Sequence, residues 1–151
     1  MSALRLYRLS NARRAGDLSG EGARRAGGRW NEAGTPALYT ATTISLALLE
    51  CLVHVGAAGN LPKGYTVNVL ELGAKTPNLH RVEELPARLD ESQQVGNALL
   101  IEENVLGFYA RSVVVPSEWN VVLNPRHPTF GSSVRLVETY ALAVDRRLGI
   151  R

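Results

Sequence analysis

Residues 37–55, ALYTATTISLALLECLVHV, decide the fold because they join a short strand directly to a long apolar helix. The first five of them follow a Gly-Thr-Pro turn and have the residue types of a strand. Thr42 and Thr43 are both suited to cap a helix, and the run of helix formers behind them predicts a helix that continues to Val55. A glycine-rich segment at 56–64 then ends this helix.

Strand-like segments lie on both sides of this unit. We expect strands at 4–9 and 65–72, two short ones separated by a proline-bearing turn in 111–125, and one or two more in 133–144. A loop with short turns is expected at 74–92, and QVGNALLIEENVLGFYA (94–110) predicts a second, less regular helix. Strands therefore outnumber helices without a βαβ rhythm, which indicates the α+β class and argues against a doubly wound nucleotide-binding fold.

The composition is that of one folded domain. At 151 residues, with 45% hydrophobic and 21% charged residues, the chain is too apolar to be intrinsically disordered, and we expect a single domain over 1–151. No run approaches the ~20 apolar residues of a membrane span, and the first ten residues lack the apolar core of a secretory signal, so we expect a cytoplasmic protein. The one cysteine, Cys51, cannot form an intrachain disulfide, and without CxxC or HxxxH spacing no metal site is expected.

The positive charge is concentrated at the start of the chain. Residues 1–31 contain seven arginines against two acids, a net charge of +5, and since the whole chain carries +3 the rest sums to −2. A local excess of this kind favours an anionic partner, which leaves nucleic acid, a nucleotide phosphate and an acidic protein surface as candidates.

The segment GEGARRAGGRWNEAG, residues 20–34, holds five glycines and three arginines around one tryptophan, a composition that favours neither an ordinary helix nor an ordinary strand. It matches neither the Walker phosphate loop nor the dinucleotide fingerprint, whose third glycine is replaced here by Arg25. What is left is a backbone that can approach a ligand closely, with Arg29 as a planar cationic fork for two phosphate oxygens. The alternative is a solvated loop whose arginines pair with acids elsewhere.

The predicted helix carries a carboxylate among apolar neighbours. Between Ile44 and Val55 the polar side chains are Ser45, Glu50 and His54, and the last two are four residues apart and share a face. If Glu50 is buried it needs a cationic or hydrogen-bonding partner, and if it lines a cleft it can stabilise a developing positive charge. Otherwise Glu50 and His54 mark the solvent edge of an amphipathic helix.

Three further side chains have both a chemical and a structural interpretation. Tyr39 can stack on a planar ligand or belong to the core. Ser117 can offer a hydroxyl at a strand end or cap a turn, and no Ser/His/Asp arrangement accompanies it. Cys51 faces an apolar helix and is expected to pack there and not to act as a nucleophile.

Taken in order, these motifs resemble one known family. The stretch SGEGARRAGGRWNEAGTPALYTATTISLALLECLVH followed by VVVPSEWNVVLNPRHP is similar to the RES-domain family, the toxin partners of Xre-type antitoxins in bacterial toxin–antitoxin pairs. The Arg, Glu and Ser that name the family match Arg29 in GGRWN, Glu50 in LALLE and Ser117 in VPS. Tyr39 in ALYTA matches the tyrosine of the family's active site.

This resemblance implies an ADP-ribosyltransferase-like fold, with a mixed sheet and a few flanking helices, and an attack on NAD as substrate. Glu50 would stabilise the oxocarbenium-like ribose that forms when nicotinamide leaves. Arg29 would hold the diphosphate, Tyr39 would stack against the nicotinamide or its ribose, and Ser117, with Ser45 as a weaker candidate, would supply an orienting hydrogen bond. No metal is required for this chemistry.

The sequence leaves three alternative functions open. In the first, ADP-ribose passes to water or phosphate and the cell's NAD is depleted. In the second, the same site transfers ADP-ribose to a protein target. The third is a nucleic-acid-binding module that uses the basic first part of the chain, against which stands the absence of a recognised binding motif. The resemblance also implies an Xre-type antitoxin that blocks the cleft, and it implies no direct binding to nucleic acid.

Overall fold

The computed structural model describes residues 3–55, 64–74 and 78–148. In these residues one seven-stranded sheet has the strand order β4-β5-β6-β2-β1-β3-β7, in which β4 and β5 are parallel and the other pairs antiparallel. The strands are β1 (Leu4–Asn11), β2 (Leu38–Ala41), β3 (Tyr65–Leu72), β4 (His80–Val82), β5 (Gly107–Arg111), β6 (Trp119–Leu123) and β7 (Val134–Ala141). The α-helices are α1 (Glu21–Ala26), α2 (Ile44–Val55), α3 (Leu89–Asn97) and α4 (Phe130–Ser133), with 3₁₀ turns at Ala12–Arg14 and Arg146–Leu148 and a π-helical turn at Ala98–Glu102.

The α+β class and the mixed sheet with flanking helices are confirmed. The strands expected at 4–9, 37–41 and 65–72 are β1, β2 and β3, and the long helix is α2. Its cap is Thr43, whose hydroxyl oxygen accepts the Leu46 amide hydrogen at 3.1 Å. Most of the glycine-rich segment predicted to end this helix lies outside the described residues.

The prediction of a helix over 94–110 was wrong in extent. The helix α3 begins at Leu89, inside the segment expected to be a loop, and widens into the π-helical turn. The helical segment ends there because the buried Asn124 binds the chain that follows. Its side-chain amide donates to the carbonyl oxygens of Leu100 and Val105 at 3.1 and 3.0 Å. Residues 107–111 form β5 because strands on both sides take up their backbone hydrogen bonds, and β4 likewise lies in the expected loop.

Two shorter predictions also need correction. Only one strand, β6, begins within 111–125, because Ser112 to Glu118 form a loop that turns the chain back from β5 to β6. The segment 20–34 was not expected to form a helix, yet α1 forms there and is supported by Glu21, which binds both Arg24 and Arg25. These contacts lower the pKa of Glu21 to about 2, chiefly through its hydrogen bond from Arg24.

The two faces of the sheet differ in what covers them. Paired residues of adjacent strands point to the same face, and alternate residues along a strand point to opposite faces. One face packs Leu6, Leu38, Leu70, Leu72, Leu106, Val121, Leu123 and Val134 into the largest core cluster. The other face, which we call the α2 face, carries Tyr39 and Ala41 of β2 beside Val122 and Asn120 of β6.

The α2 face is covered by two separate groups of residues. Leu46 and Ala47 of α2 pack on Ala41. Trp30 and the π-helical turn pack on Phe108 and Val122 farther along the sheet. The strand β2 therefore passes beneath both coverings, with Ala41 under the first and Tyr39 at the second. None of the described helices has both the length and the apolar character needed to cross a bilayer.

Candidate active site

Glu50 is held on the α2 face by two neutral donors. Its Oε1 atom accepts hydrogen bonds from the Ser112 hydroxyl at 2.5 Å and from the Asn120 side-chain amide at 2.8 Å. Asn120 lies directly opposite Ala41 in the β2–β6 register, so the contact ties the middle of α2 to the sheet. Within the described part of the chain, both donors bind Oε1 and no side chain donates to Oε2. The carboxylate is fixed in place and keeps one oxygen for another partner.

The Ser112 hydroxyl is itself oriented by the loop in which it lies. Ser112 is fully buried, and its oxygen accepts the amide hydrogens of Val114 and Val115 at 3.1 and 2.9 Å. Because these two donors occupy the lone pairs of the oxygen, the hydroxyl hydrogen points to Glu50. The loop is closed by a further bond from the Ser112 amide to the Glu118 carbonyl oxygen at 2.9 Å.

The segment Gly28–Asn31, which we call the arginine loop, is anchored to the same face by Tyr39. The Tyr39 hydroxyl accepts the Trp30 amide hydrogen at 2.9 Å and donates to Asn31 Oδ1 at 2.6 Å. An added Cβ at Gly28 would lie 2.7 Å from the Tyr39 oxygen, so only glycine allows this approach. Burial raises the pKa of Tyr39 well above its ordinary value, although the hydrogen bonds to its oxygen act in the opposite direction. The tyrosine therefore stays protonated and serves as a donor.

Two buried side chains complete the anchor. Trp30 is 2% exposed and meets the ring of Phe108 edge-on, with centroids 5.9 Å apart. Asn31 is fully buried, and its amide donates to the carbonyl oxygens of Ala23 and Thr35 at 2.8 and 2.9 Å. Arg29 lies between these anchors and is half-buried. Within the described residues it joins none of the ion pairs that its neighbours Arg24 and Arg25 form.

The strand register brings the arginine loop and Glu50 to one face of the sheet. Tyr39 anchors the loop, and Ala41 lies opposite Asn120, which holds Glu50. Two residues along a strand span about 7 Å on one face, so the two anchor points are close neighbours. Residues of β4, α3 and the π-helical turn line an open cavity of about 540 Å³. Neither Arg29 nor Glu50 is among its lining residues.

Ser117 makes no hydrogen bond to Glu50 in the described residues. Its side chain is exposed near the tip of the 112–118 loop, and the serine that contacts Glu50 is Ser112. Ser45 is also exposed, and its position five residues before Glu50 places it about 140° around the helix from the carboxylate. Tyr39 contacts the arginine loop through its hydroxyl, a role that the stacking hypothesis did not include.

His54 and Cys51 make no hydrogen bond to Glu50 among the described residues. His54 is exposed on α2. Cys51 is half-buried, and burial raises the pKa of its thiol, with a hydrogen bond to Tyr65 partly opposing the shift. A raised pKa lowers the fraction of thiolate at neutral pH, which is the reverse of what a nucleophile needs. Among the described residues, no group of three or more His, Cys, Asp and Glu side chains is placed to hold a metal ion.

Sequence reasoning missed Ser112 and Asn120. A polar residue inside an otherwise apolar strand, as in WNVVL, is a signal that its side chain meets another polar group on the covered face. Asn120 carries that signal, but only the strand register shows that it points to the same face as Tyr39. Ser112 lies at the end of β5, and the choice between it and Ser117 depends on how the loop between them folds.

Much of the basic charge near the start of the chain is already paired. Arg24 and Arg25 bind Glu21, and Arg5 lies 3.5 Å from Glu71. Arg8 is partly buried and donates to the carbonyl oxygen of Asp17, and burial lowers its pKa. The described contacts therefore leave less free positive surface for nucleic acid than the sequence indicates.

Comparisons with known proteins establish the family of this chain. The RES domain family model matches residues 5–145. A protein named Toxin Res from Yersinia enterocolitica serotype O:8 / biotype 1B is 35% identical over 95% of this chain and 98% of its own length. The Prs ADP-ribosylating toxin of Sphingobium sp. (strain YBL2) is 33% identical over 76% of each chain.

This chain belongs to the RES-domain family. A solved structure supports the fold: the toxin–antitoxin complex MbcT–MbcA of M. tuberculosis contains a chain that superposes with a TM-score of 0.72 over 93% of this chain and 84% of its own. The sequence identity is 21%, so this likeness bears on the fold alone. The family assignment and the mixed α+β fold predicted from the motifs are thereby confirmed.

Replacing Tyr39 by Phe in this RES-domain chain tests whether the hydroxyl anchors the arginine loop. The change leaves the Trp30 amide hydrogen and the Asn31 Oδ1 atom without this partner, and we expect a loss of about 1–3 kcal/mol in the free energy of unfolding. Urea denaturation measures it. Tyr140→Phe, at an exposed position on β7, is the matched control. Equal stabilities of the two variants would contradict the anchoring role.

Proposed function

We propose that this RES-family protein is a toxin that cleaves the nicotinamide–ribose bond of NAD and passes the ADP-ribose to water or phosphate. The observation that supports the proposal most directly is the state of Glu50. Its Oε1 is occupied by Ser112 and Asn120, whereas its Oε2 accepts no side-chain hydrogen bond among the described residues. A carboxylate held in this way is suited to a sugar that becomes positively charged.

In the proposed step the bond between ribose C1′ and the nicotinamide nitrogen breaks. The electron pair leaves with nicotinamide, which becomes neutral, and the positive charge moves to the ribose. Glu50 stabilises that charge, and its Oε2 accepts a hydrogen bond from a ribose hydroxyl. Water or phosphate then attacks C1′, and when the nucleophile is water it releases a proton to the solvent. NAD is the substrate, and the step is complete without a metal.

The other residues prepare this geometry. Arg29 grips the diphosphate from a loop whose backbone Tyr39 holds in place, since a planar guanidinium fits two phosphate oxygens. Ser112 takes the orienting role that was assigned to Ser117, because it is the serine that donates to Glu50. Both donors to Oε1 are neutral, so neither of these contacts brings a cation next to the carboxylate that faces the substrate.

A second candidate keeps the same site and changes the acceptor. The relative from Sphingobium is named a Prs ADP-ribosylating toxin, and its similarity to this chain favours transfer of ADP-ribose to a protein target. The two candidates share the cleavage step and differ in the molecule that attacks C1′.

An antitoxin is the partner we propose for this protein. The structural neighbour was solved as a toxin–antitoxin complex, and an enzyme that destroys NAD harms its own cell when uninhibited. We propose an antitoxin of the Xre type that covers the α2 face between Glu50 and the arginine loop. Cytoplasmic action follows from the location of NAD and of such a partner.

Replacing Glu50 by Gln keeps the shape of the side chain and its bonds to Ser112 and Asn120 but removes the charge. We expect nicotinamide release from NAD to fall at least ~100-fold, as when a group that stabilises transition-state charge is removed. Chromatography of nicotinamide measures the rate, and Glu138→Gln, at an exposed position on β7, is the control. Full activity in Glu50→Gln would overturn the proposed function.

The serines at 112 and 117 form a matched pair of substitutions. Ser112→Ala removes a donor to Glu50 and an acceptor for two amides, so we expect kcat for NAD cleavage to fall ~10- to 100-fold, with some loss of stability. Ser117→Ala removes an exposed hydroxyl, and we expect its activity to equal that of the wild type. The reverse pattern would show that Ser117 carries the role given to it by the resemblance.

The acceptor is identified by following the ADP-ribose. Incubation of the purified protein with labelled NAD, with and without phosphate, and in parallel with cell lysate separates the two candidates. We expect free ADP-ribose or its 1″-phosphate, because the proposed acceptors are water and phosphate. Label on one protein band that is absent with Glu50→Gln would establish protein transfer in place of NAD depletion.

A further inference from the structure

The helix α3 contacts the arginine loop on both sides of Arg29. The side-chain amide of Gln93 donates to the Gly28 carbonyl oxygen at 2.9 Å. One turn farther on, Asn97 Oδ1 accepts the Glu32 amide hydrogen at 3.0 Å, and the Asn97 amide donates to the Glu32 carboxylate at 3.1 Å. The two amide side chains therefore bind the backbone just before Arg29 and just after the loop.

Gly96 allows the helix to come this close. An added Cβ at Gly96 would lie 1.7 Å from the Trp30 carbonyl oxygen, a distance that no packing adjustment of side chains can relieve. Gly96 has an ordinary helical place inside α3, where glycine is unfavourable by ~1 kcal/mol relative to alanine. Its presence is explained by the close contact with the loop. Contacts from Gln93, Gly96 and Asn97 thus fall on every second residue along this segment, at Gly28, Trp30 and Glu32.

These contacts complement the anchor made by Tyr39. Tyr39 binds the Trp30 amide from the sheet, whereas α3 binds the Gly28 carbonyl oxygen through Gln93 and the Glu32 amide through Asn97. Between the two, the backbone of Arg29 has little freedom, whereas its guanidinium is outside the ion pairs of its neighbours. A cation on a fixed backbone loses less conformational entropy when it binds an anion.

We infer that Gln93, Gly96 and Asn97 are positioning residues that hold Arg29 ready for the diphosphate of NAD. This inference rests on the proposed function, because it takes the diphosphate as the ligand of Arg29. The diphosphate lies away from the bond that breaks. The contact between Arg29 and the diphosphate therefore stabilises the bound substrate and the transition state equally. Loosening the loop therefore raises KM for NAD and leaves kcat nearly unchanged.

The test uses two adjacent glutamines. Gln93→Glu replaces a donor by a carboxylate oxygen facing the Gly28 carbonyl oxygen, whereas Gln94→Glu makes the same change at an exposed position. For Gln93→Glu we expect a ~10-fold higher KM for NAD with kcat changed less than ~3-fold, and wild-type values for Gln94→Glu. In an Arg29→Ala background Gln93→Glu should change KM no further, since the two residues act through one interaction. A simple loss of folded protein would lower kcat and leave KM unchanged.

Trypsin supplies a readout that does not need NAD. Cleavage between Arg29 and Trp30 requires the loop to leave its anchors, so we expect it to be several-fold faster in Gln93→Glu than in Gln94→Glu, with mass spectrometry to identify the site. Equal cleavage rates and equal KM values for Gln93→Glu and Gln94→Glu would overturn the inference. The proposed function would still stand if the wild type releases nicotinamide from NAD. If Gln93→Glu is cleaved faster but the wild type does not release nicotinamide, the proposed function would be overturned. The contacts of α3 would then still be shown to hold the arginine loop.

Discussion

The structure depends on the placement of β2 between two coverings of a single sheet face. Tyr39 and Ala41 are two residues apart and point to the same side, so one strand of four residues connects the arginine loop with the helix α2. Tyr39 binds the loop through its hydroxyl, and Ala41 gives α2 a small, flat surface opposite Asn120. A register shift of one residue in β2 would turn both side chains to the other face and separate Glu50 from Arg29.

The cost of placing polar groups beneath these coverings explains the hydrogen-bond pattern. Within the described residues, every buried side-chain nitrogen and oxygen has a partner. Asn31, Ser112 and Asn124 are buried and bind backbone groups that would otherwise be left without partners in the loops. Loops that are held by buried side chains in this way are already ordered before a ligand binds. A surface loop of the same length without such contacts would lose conformational entropy on binding.

The sequence predicted the elements whose signals are local. Periodicity and capping identified β1, β3 and α2 with a cap at Thr42 or Thr43, and the motif order identified the family. The failures lie where non-local contacts decide. Residues 107–111 were included in the predicted helix, but pairing with β4 and β6 makes them a strand, and the side chain of Asn124 determines where the helix before them stops. Ser112 was not predicted for the same reason, because a valine-rich segment predicted to be a strand folds into a loop around its hydroxyl.

That loop is supported from the opposite face of the sheet, which links the two sides of β6. Arg111, the residue before Ser112, stacks its guanidinium 4.3 Å from the centre of the Trp119 ring and donates to the Pro116 carbonyl oxygen at 3.2 Å. Arg81 stacks on the same ring from β4, so Trp119 is held between two cations on the face away from Glu50. Because Trp119 and Asn120 are neighbours in β6 and point to opposite faces, fixing the tryptophan also fixes the position from which Asn120 reaches the carboxylate. The position of Glu50 therefore depends on packing on both faces of the sheet. Strand β6 links the two, because it carries Trp119 on one face and Asn120 on the other.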